Sequence, residues 1–262
     1  MPQNIATLVP YLFPAAAAVL GLVLGSFYSV CATRAIDGTS IVRPPSHCPR
    51  CGHALAWWEL VPVVSYLLLR GRCAACRERI SPLYPLIELS SAAWAALVAL
   101  TFGPTWWFVS YLALGGLFIV ASAIDFKVYL LPNVLTYPAA VLGCAIGALR
   151  PDIGPVLAGI GAAAGFGVFW LLAAGFRLAK GVDGLGGGDV KLMLSIGGAV
   201  GLLGLPYAVL LGSLAALLAS PFYVLGKGRG RSMPIPFGPF LCFGGMVQIL
   251  YGPAILRLLL GR

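Results

Sequence analysis

The 262-residue chain is 60% hydrophobic, only 10% charged, and carries a formal net charge of +9. A soluble domain holds about 25% charged residues, so this composition excludes a water-soluble globular protein and predicts an all-α polytopic membrane protein. The excess of Lys and Arg requires no nucleic acid: membrane topology and anionic lipid headgroups account for it, and no nucleic-acid partner is expected.

Residues 1–33 contain no charged side chain, and about 20 apolar residues suffice for one membrane span. No basic cluster precedes this stretch and the charges follow it, the reverse of a cleavable signal peptide. A retained helix near 10–32, with its N-terminus outside, is expected. Residues 34–83 then form the one long connection. It contains "HCPRCGHALAWWELVPVVSYLLLRGRCAAC", in which Cys48-x2-Cys51 and Cys73-x2-Cys76 are separated by 21 residues. Two such knuckles can bring four thiolates to one tetrahedral Zn2+, although the separation slightly exceeds the usual range of about 15–20. Paired disulfides are the alternative, and a loop on the reducing side of the membrane argues against them. Four thiolates leave no open position, so the role would be structural. His47 and His53 flank the first knuckle; either could be a ligand, but four Cys already suffice, so they read as loop-surface residues, and Trp57, Trp58 and Tyr66 read as interfacial anchors.

Apolar runs recur near 84–101, 105–124, 133–149, 154–177, 190–204, 206–225 and 238–257, giving about eight transmembrane helices with the cysteine loop between helices 1 and 2. The chain divides into a first transmembrane helix (1–33), a four-Cys zinc loop (34–83) and a seven-helix membrane core (84–262). Cys31, Cys144 and Cys242 fall within helices as small hydrophobes. Gly21/Gly25, Gly161/Gly165 and Gly197/Gly201 have the spacing that lets helices approach closely, but in a chain with 34 glycines that spacing arises readily by chance.

The eight-helix count can be tested against charge. It places loops 34–83, 125–132, 178–189 and 226–237 in the cytoplasm and both termini outside. Arg34, Arg43, Arg50, Arg70, Arg72, Arg77, Arg79, Lys127, Arg177, Lys180, Lys191, Lys227, Arg229 and Arg231 then lie on the cytoplasmic side. Arg150, Arg257 and Arg262 lie on the other, a 14 to 3 split of the 17 basic residues. This is the positive-inside pattern.

Of the eight acidic residues, Asp37, Glu59, Glu78 and Asp183 fall in loops and Asp152 stands beside Arg150. Glu88, Asp125 and Asp189 occupy helix positions. Asp189, in "GLGGGDVKL", has a structural reading as an N-cap favoured by the helix dipole and a catalytic reading, and taken alone it leaves both open. Asp125 ends "GGLFIVASAID" near a helix C-terminus, where the dipole disfavours a carboxylate and membrane burial costs up to about 3 kcal/mol. Both aspartates lie at cytoplasmic helix ends and share one depth. If their helices are neighbours, the two carboxylates can meet and share a proton, one serving as general base for water and the other as acid toward a carbonyl. Gly186, Gly187 and Gly188 would then leave an open backbone beside the pair for an extended peptide.

The motifs carry a resemblance. "GGGD" (Gly186 to Asp189) resembles the GxGD motif of membrane aspartyl proteases. With "DVKL", "IDFKVYLLPN" around Asp125, the paired CxxC knuckles, "IPFGPF" (Ile235 to Phe240) and "GSFYSVCATR", nearly the whole chain resembles the type IV prepilin peptidases. Ser29 stands where that family often has Asn, and Lys127 where an acid is common.

The resemblance implies a bacterial inner-membrane enzyme with Asp125 and Asp189 as catalytic pair. Gly186, Gly187, Gly188 and Lys191 would lie on the substrate side. Its substrates would be prepilins and type II secretion pseudopilins, whose basic leader is cut after Gly on the cytoplasmic side. Bifunctional members also N-methylate the new N-terminus with S-adenosylmethionine; Cys48, Cys51, Cys73 and Cys76 match the loop that marks them, and Glu59, Arg70 and Gly71 match its pattern as candidates for the methyl-donor site. Glu88 also matches a family acid, or pairs with a basic residue at the membrane surface; Lys191 either holds an aspartate's charge or anchors a helix end. Three other functions remain open on the sequence: a peptidase without methyltransferase activity, an ion-coupled transporter using the two aspartates, and a zinc-ribbon adaptor.

Overall fold

Inside a bilayer each backbone N–H and C=O must be satisfied within the protein, which leaves helices or a closed barrel. The computed structural model takes the first solution. It describes the backbone of residues 3–182, 184–227 and 235–260, and the side chains of 11–182, 184–221, 235–255 and 257. Asp183, read above as a loop acid, and Arg229, Arg231 and Arg262, which enter the charge balance, lie outside the described residues. Helix α1 (Gln3–Asp37) is followed by a 3-10 turn (Trp57–Leu60) and the short α2 (Val64–Leu68). Then come α3 (Leu83–Phe102), α4 (Trp106–Val128), α5 (Asn133–Leu149), α6 (Gly154–Lys180), α7 (Gly187–Lys227) and α8 (Gly238–Leu260). Among the described residues there is no strand, only the isolated bridges His47 to Ala54 and Arg72 to Arg79. Six of the helices are long and apolar enough to cross a membrane, and α5 is a shorter apolar helix.

The sequence reading placed two helices where the structure has α7. The difference is resolved at Gly201, whose φ of 71° and ψ of 175° are not helical and fall in a region open essentially to glycine alone. Residues 193 and 205 would lie about 18 Å apart on a straight helix. Instead Met193 and Leu205 both come within 4 Å of the position a Cβ on Gly165 would occupy. The chain therefore reverses at Gly201, and α7 is a hairpin of two apolar segments. The break falls at Gly201 rather than beside Pro206, because Pro206 sits near the start of the new segment, where it costs little of the hydrogen-bond ladder.

By its internal contacts the chain forms two compact units, Met1–Ile124 and Asp125–Arg262. In the first, α1 lies against α3 backbone to backbone: a Cβ on Gly21 would be 2.5 Å from the Ser91 carbonyl, and one on Gly25 2.6 Å from the Glu88 Cα. The indole N–H of Trp94 donates to the Tyr111 carbonyl at 2.9 Å. In the second unit α5, α6 and α8 pack on α7. Gly161 meets Gly197, and Gly143 meets Ser195, whose hydroxyl donates to the Ala139 carbonyl at 2.6 Å. All three glycine pairs noted from spacing thus have a glycine against neighbouring backbone. Their contacts replace the hydrophobic drive that is missing between helices in lipid. The outward faces carry Val141, Leu171 and Leu210, all exposed, as lipid-facing surfaces require.

Candidate active site and metal centre

The second unit begins with the last turn of α4. Tyr129 ends that helix in the left-handed region (φ 56°), and its N–H donates to the Asp125 carbonyl at 2.9 Å. Asp125 therefore sits one turn inside the helix end, with 6% of its surface exposed. Helix α7 starts at Gly187, earlier than the sequence periodicity predicts, so Asp189 falls in the first turn rather than at the cap. Its N–H donates to the Gly186 carbonyl at 3.0 Å. Asp189 is 9% exposed, and its Oδ1 is buried without a hydrogen-bond partner among the described residues.

A third element brings the two acids together. Gly238, the first residue of α8, donates its N–H to Asp125 Oδ2 at 3.2 Å. A Cβ on Gly238 would lie 2.8 Å from Asp125 Oδ2 and 3.4 Å from Asp189 Oδ1. The two carboxylate oxygens are therefore no more than about 6.2 Å apart, within reach of one bridging water or one substrate carbonyl. Leu131 closes the apolar side. Its side chain would be 3.0 Å from that Cβ and 2.5 Å from one on Gly188. Gly186 and Gly187 are exposed, so the glycine run leaves open backbone at the mouth of the site.

Lys191 does not neutralise this pair. Its ammonium donates to Asn133 Oδ1 at 2.6 Å and lies 5.3 Å from the centre of the Tyr137 ring, tying the first turn of α7 to the first turn of α5. Gly238, Leu131 and Asn133 were not singled out from the sequence. The "IPFGPF" and "LLPN" strings drew notice, but nothing local to either reveals a partner that lies 113 residues away for Gly238 and Asp125.

The four-Cys loop lies in the first unit. Each knuckle is a tight hairpin closed by its own backbone. Cys48 N–H donates to His53 O at 2.9 Å and Gly52 N–H to Cys48 O at 2.9 Å; Cys73 N–H donates to Glu78 O at 2.8 Å and Arg77 N–H to Cys73 O at 3.1 Å. The residue after the second cysteine is left-handed in both, Gly52 at φ 72° and Arg77 at φ 60°. The four sulfurs lie within 4.8 Å of one another, and Cys48 and Cys76 Sγ are 3.8 Å apart. A Zn–S bond of about 2.3 Å makes a tetrahedral edge of about 3.8 Å, whereas a disulfide needs about 2.05 Å. All four are free thiols, so this donor set fits Zn2+ and not a pair of disulfides. Backbone N–H groups of Cys51 and Arg50 directed at Cys48 pull its thiol down to about 6, whereas burial and the neighbouring sulfurs push those of Cys51 and Cys76 up, so without a metal Cys48 ionises first of the three.

Glu59 is built into the same loop. Its Oε2 accepts from the Ala56 N–H at 2.8 Å and faces His53 Nε2 at 3.0 Å, while its Oε1 is buried without a partner among the described residues. Arg70 and Gly71 lie in the turn ahead of the second knuckle. Both are left-handed (φ 53° and 65°) and turn the chain from α2 into the second knuckle, with Gly71 accepting from Ile80 N–H at 2.8 Å. Tyr66 packs on Gly71, inside the loop rather than as an interfacial anchor, whereas Trp57 is 81% exposed.

Two family profiles match the chain: the Bacterial Peptidase A24 N-terminal domain over residues 19–102, and the Type IV leader peptidase family over residues 112–220. The chain is also 38% identical to a Burkholderia pseudomallei (strain K96243) protein named prepilin leader peptidase/N-methyltransferase, over 94% of this chain and 87% of that protein. It belongs to the type IV leader peptidase family. Proteins of the same name from Pseudomonas aeruginosa and Neisseria gonorrhoeae are 37% and 34% identical, covering 83% and 97% of this chain and 75% and 96% of their own lengths. No solved structure matches. The leader peptidase segment contains Asp125 and Asp189, and the N-terminal segment contains the four cysteines, Glu59 and Glu88. Gly238, on which both acids converge, lies beyond either segment.

Proposed function

We propose that this leader peptidase cleaves the basic leader of type IV prepilins and type II secretion pseudopilins after Gly and then N-methylates the new N-terminus. Asp125 and Asp189 are the catalytic pair. The observation that carries the reading is the convergence of both carboxylates on Gly238. Two acids this close share one proton and titrate as a unit. The ionised member takes a proton from water, whose oxygen attacks the scissile carbonyl carbon. The protonated member gives its proton to the carbonyl oxygen; on collapse the carboxyl that took the water's proton passes it to the amide nitrogen, which leaves as the amine, while the other carboxylate takes back the hydroxyl proton as the product carboxyl forms. The substrate lies extended along Gly186, Gly187 and Gly188.

The name shared by the relatives includes the methyltransferase, and the loop supplies two fitting features for it. The sulfur cluster suits a structural Zn2+ that clamps both knuckles, and the unpartnered Glu59 Oε1 suits an acceptor for an amine N–H. S-adenosylmethionine would supply the electrophilic methyl group; Glu59 would orient the incoming amine and take its proton. Arg70 and Gly71 shape the adjoining turn. The family and the apolar helices support localisation in the bacterial inner membrane; the distribution of Lys and Arg in the sequence supports a cytoplasmic zinc loop and aspartates, both termini outside, and anionic lipid at the basic face. An ion-coupled transporter is disfavoured, because Asp125 and Asp189 lie at helix ends rather than at mid-membrane.

Reconstituted protein is incubated with a prepilin and isotope-labelled methyl donor, and the product N-terminus is read by mass spectrometry. Loss of the leader with one added methyl is expected. Loss of the leader alone would reduce the reading to a peptidase, and intact substrate would reject both.

A further inference from the structure

A second polar site lies in the same unit, at the ends of α5 and the first α7 segment that are opposite the aspartates, beside the second half of α8. A cavity of about 70 Å3 is lined by Arg150, Asp152, Gly201, Leu202, Gln248 and Gly252 among others. It is a built site rather than a surface dent. Gln248 is 4% exposed, and its Oε1 is buried with no partner among the described residues. The amide fits because two neighbours lack side chains: a Cβ on Gly204 or Gly252 would stand 3.0 or 2.8 Å from Gln248 Nε2. An unsatisfied buried acceptor costs about 1–3 kcal/mol, so the slot favours a ligand that brings an N–H or O–H donor.

The rest of the lining carries both signs. Arg150 Nε donates to Asp152 Oδ1 at 2.8 Å, and a second Arg150 nitrogen reaches Asp152 Oδ2. The Arg150 side chain is 12% exposed, that of Asp152 54%. The helical segment that starts after Gly201 adds the unladdered amides of its first turn, where the dipole favours a phosphate. A ligand complementary to this set has a phosphate and, a few bonds away, a primary ammonium.

We propose that this cavity binds the headgroup of phosphatidylethanolamine, with the ammonium donating to Gln248 Oε1 and Asp152 and the phosphate facing Arg150 and the amides after Gly201. The lipid is favoured over a free zwitterion because the cavity is bordered by the turn between α5 and α6 and by the reversal at Gly201, the level at which headgroups lie. Phosphatidylcholine has the same charges and no N–H, so it cannot satisfy Gln248. Phosphatidylglycerol offers hydroxyl donors but no ammonium to meet the open face of the half-exposed Asp152 carboxylate, whose other face is taken by Arg150.

The test uses the full chain in nanodiscs with equal amounts of phosphatidylethanolamine, its mono- and dimethylated forms, phosphatidylcholine and phosphatidylglycerol. Lipids retained after transfer to detergent are counted by native mass spectrometry. The wild type should retain one phosphatidylethanolamine at least about 5-fold over phosphatidylcholine, with retention lost at the third methyl. Gln248→Leu should bring phosphatidylethanolamine down to the phosphatidylcholine level, and Gln248→Glu should keep it. Equal retention of the two lipids by the wild type, as expected if only water fills the slot, overturns the proposal. So does a preference for phosphatidylglycerol. The wild-type methylation series decides the matter even if Gln248→Leu does not fold.

Discussion

At the scale of single residues the site turns on a missing side chain. Gly238 lies where any Cβ would press on both carboxylates of the proposed pair, 2.8 Å from Asp125 Oδ2 and 3.4 Å from Asp189 Oδ1. Gly238→Ala should therefore lower cleavage at least about 10-fold by displacing Asp125 and Asp189, while the thermal midpoint changes by only a few degrees. Kinetics and a melt on one preparation check this, and an active Gly238→Ala would mean that the carboxylates meet differently. Asp125→Asn and Asp189→Asn should each abolish cleavage, and because a shared-proton pair acts as a unit the double variant should be no worse than either single. The two aspartates were legible in the sequence because an acid in an apolar helix is expensive and calls for a reason. Gly238 was not, because a glycine's importance depends on what faces it across the fold. Lys191 was ambiguous for a similar cause: its reach allows either an aspartate or Asn133, and only packing selects Asn133.

At the scale of elements, α3 does more than span. Glu88, read from sequence as a family acid or a partner for a surface base, accepts the Val63 N–H at 2.7 Å instead. Val63 holds a φ of 62°, a conformation that costs a β-branched residue about 1–3 kcal/mol. The membrane helix thus pins a strained turn just ahead of α2, between the two knuckles. Glu88→Ala should release the turn and speed loss of metal to a chelator several-fold. Val63→Gly, which removes the strain, should slow it. Opposite directions are the expected result; the same direction for both would show that strain is not what Glu88 restrains. Helix identities and approximate limits could be read from the apolar runs. The reversal at Gly201 could not be separated from Pro206, because sequence alone offers two breakers within five residues and only the backbone angles choose.

At the scale of the whole molecule the two chemistries fall in different units, cysteines and Glu59 before residue 124 and the aspartates after it. Cys73→Ser should remove the single Zn2+, read by elemental analysis, and reduce methylation at least about 10-fold while cleavage falls less than about 3-fold. Asp189→Asn is the reciprocal control. Parallel loss of both activities would make the loop a general clamp. The apolar runs and the cysteine spacing made the helical plan and the four-Cys loop legible, since both are local patterns in the chain. The close helix contacts were undervalued, because a small residue every fourth position says nothing of which neighbour it admits.

The hairpin in α7 also bears on the bilayer itself. The segment from Gly187 to Val200 rises only about 21 Å, against a hydrocarbon thickness of about 30 Å. A helix that short would leave lipid unmatched if it faced the acyl chains. From Asp189 to Val200, however, no residue is exposed: α5, α6 and α8 cover the segment, so its shortness is met by protein rather than by a thinned membrane. Turnover should accordingly change little as the acyl chains of the host bilayer lengthen, and a steep fall would mean that lipid reaches this segment.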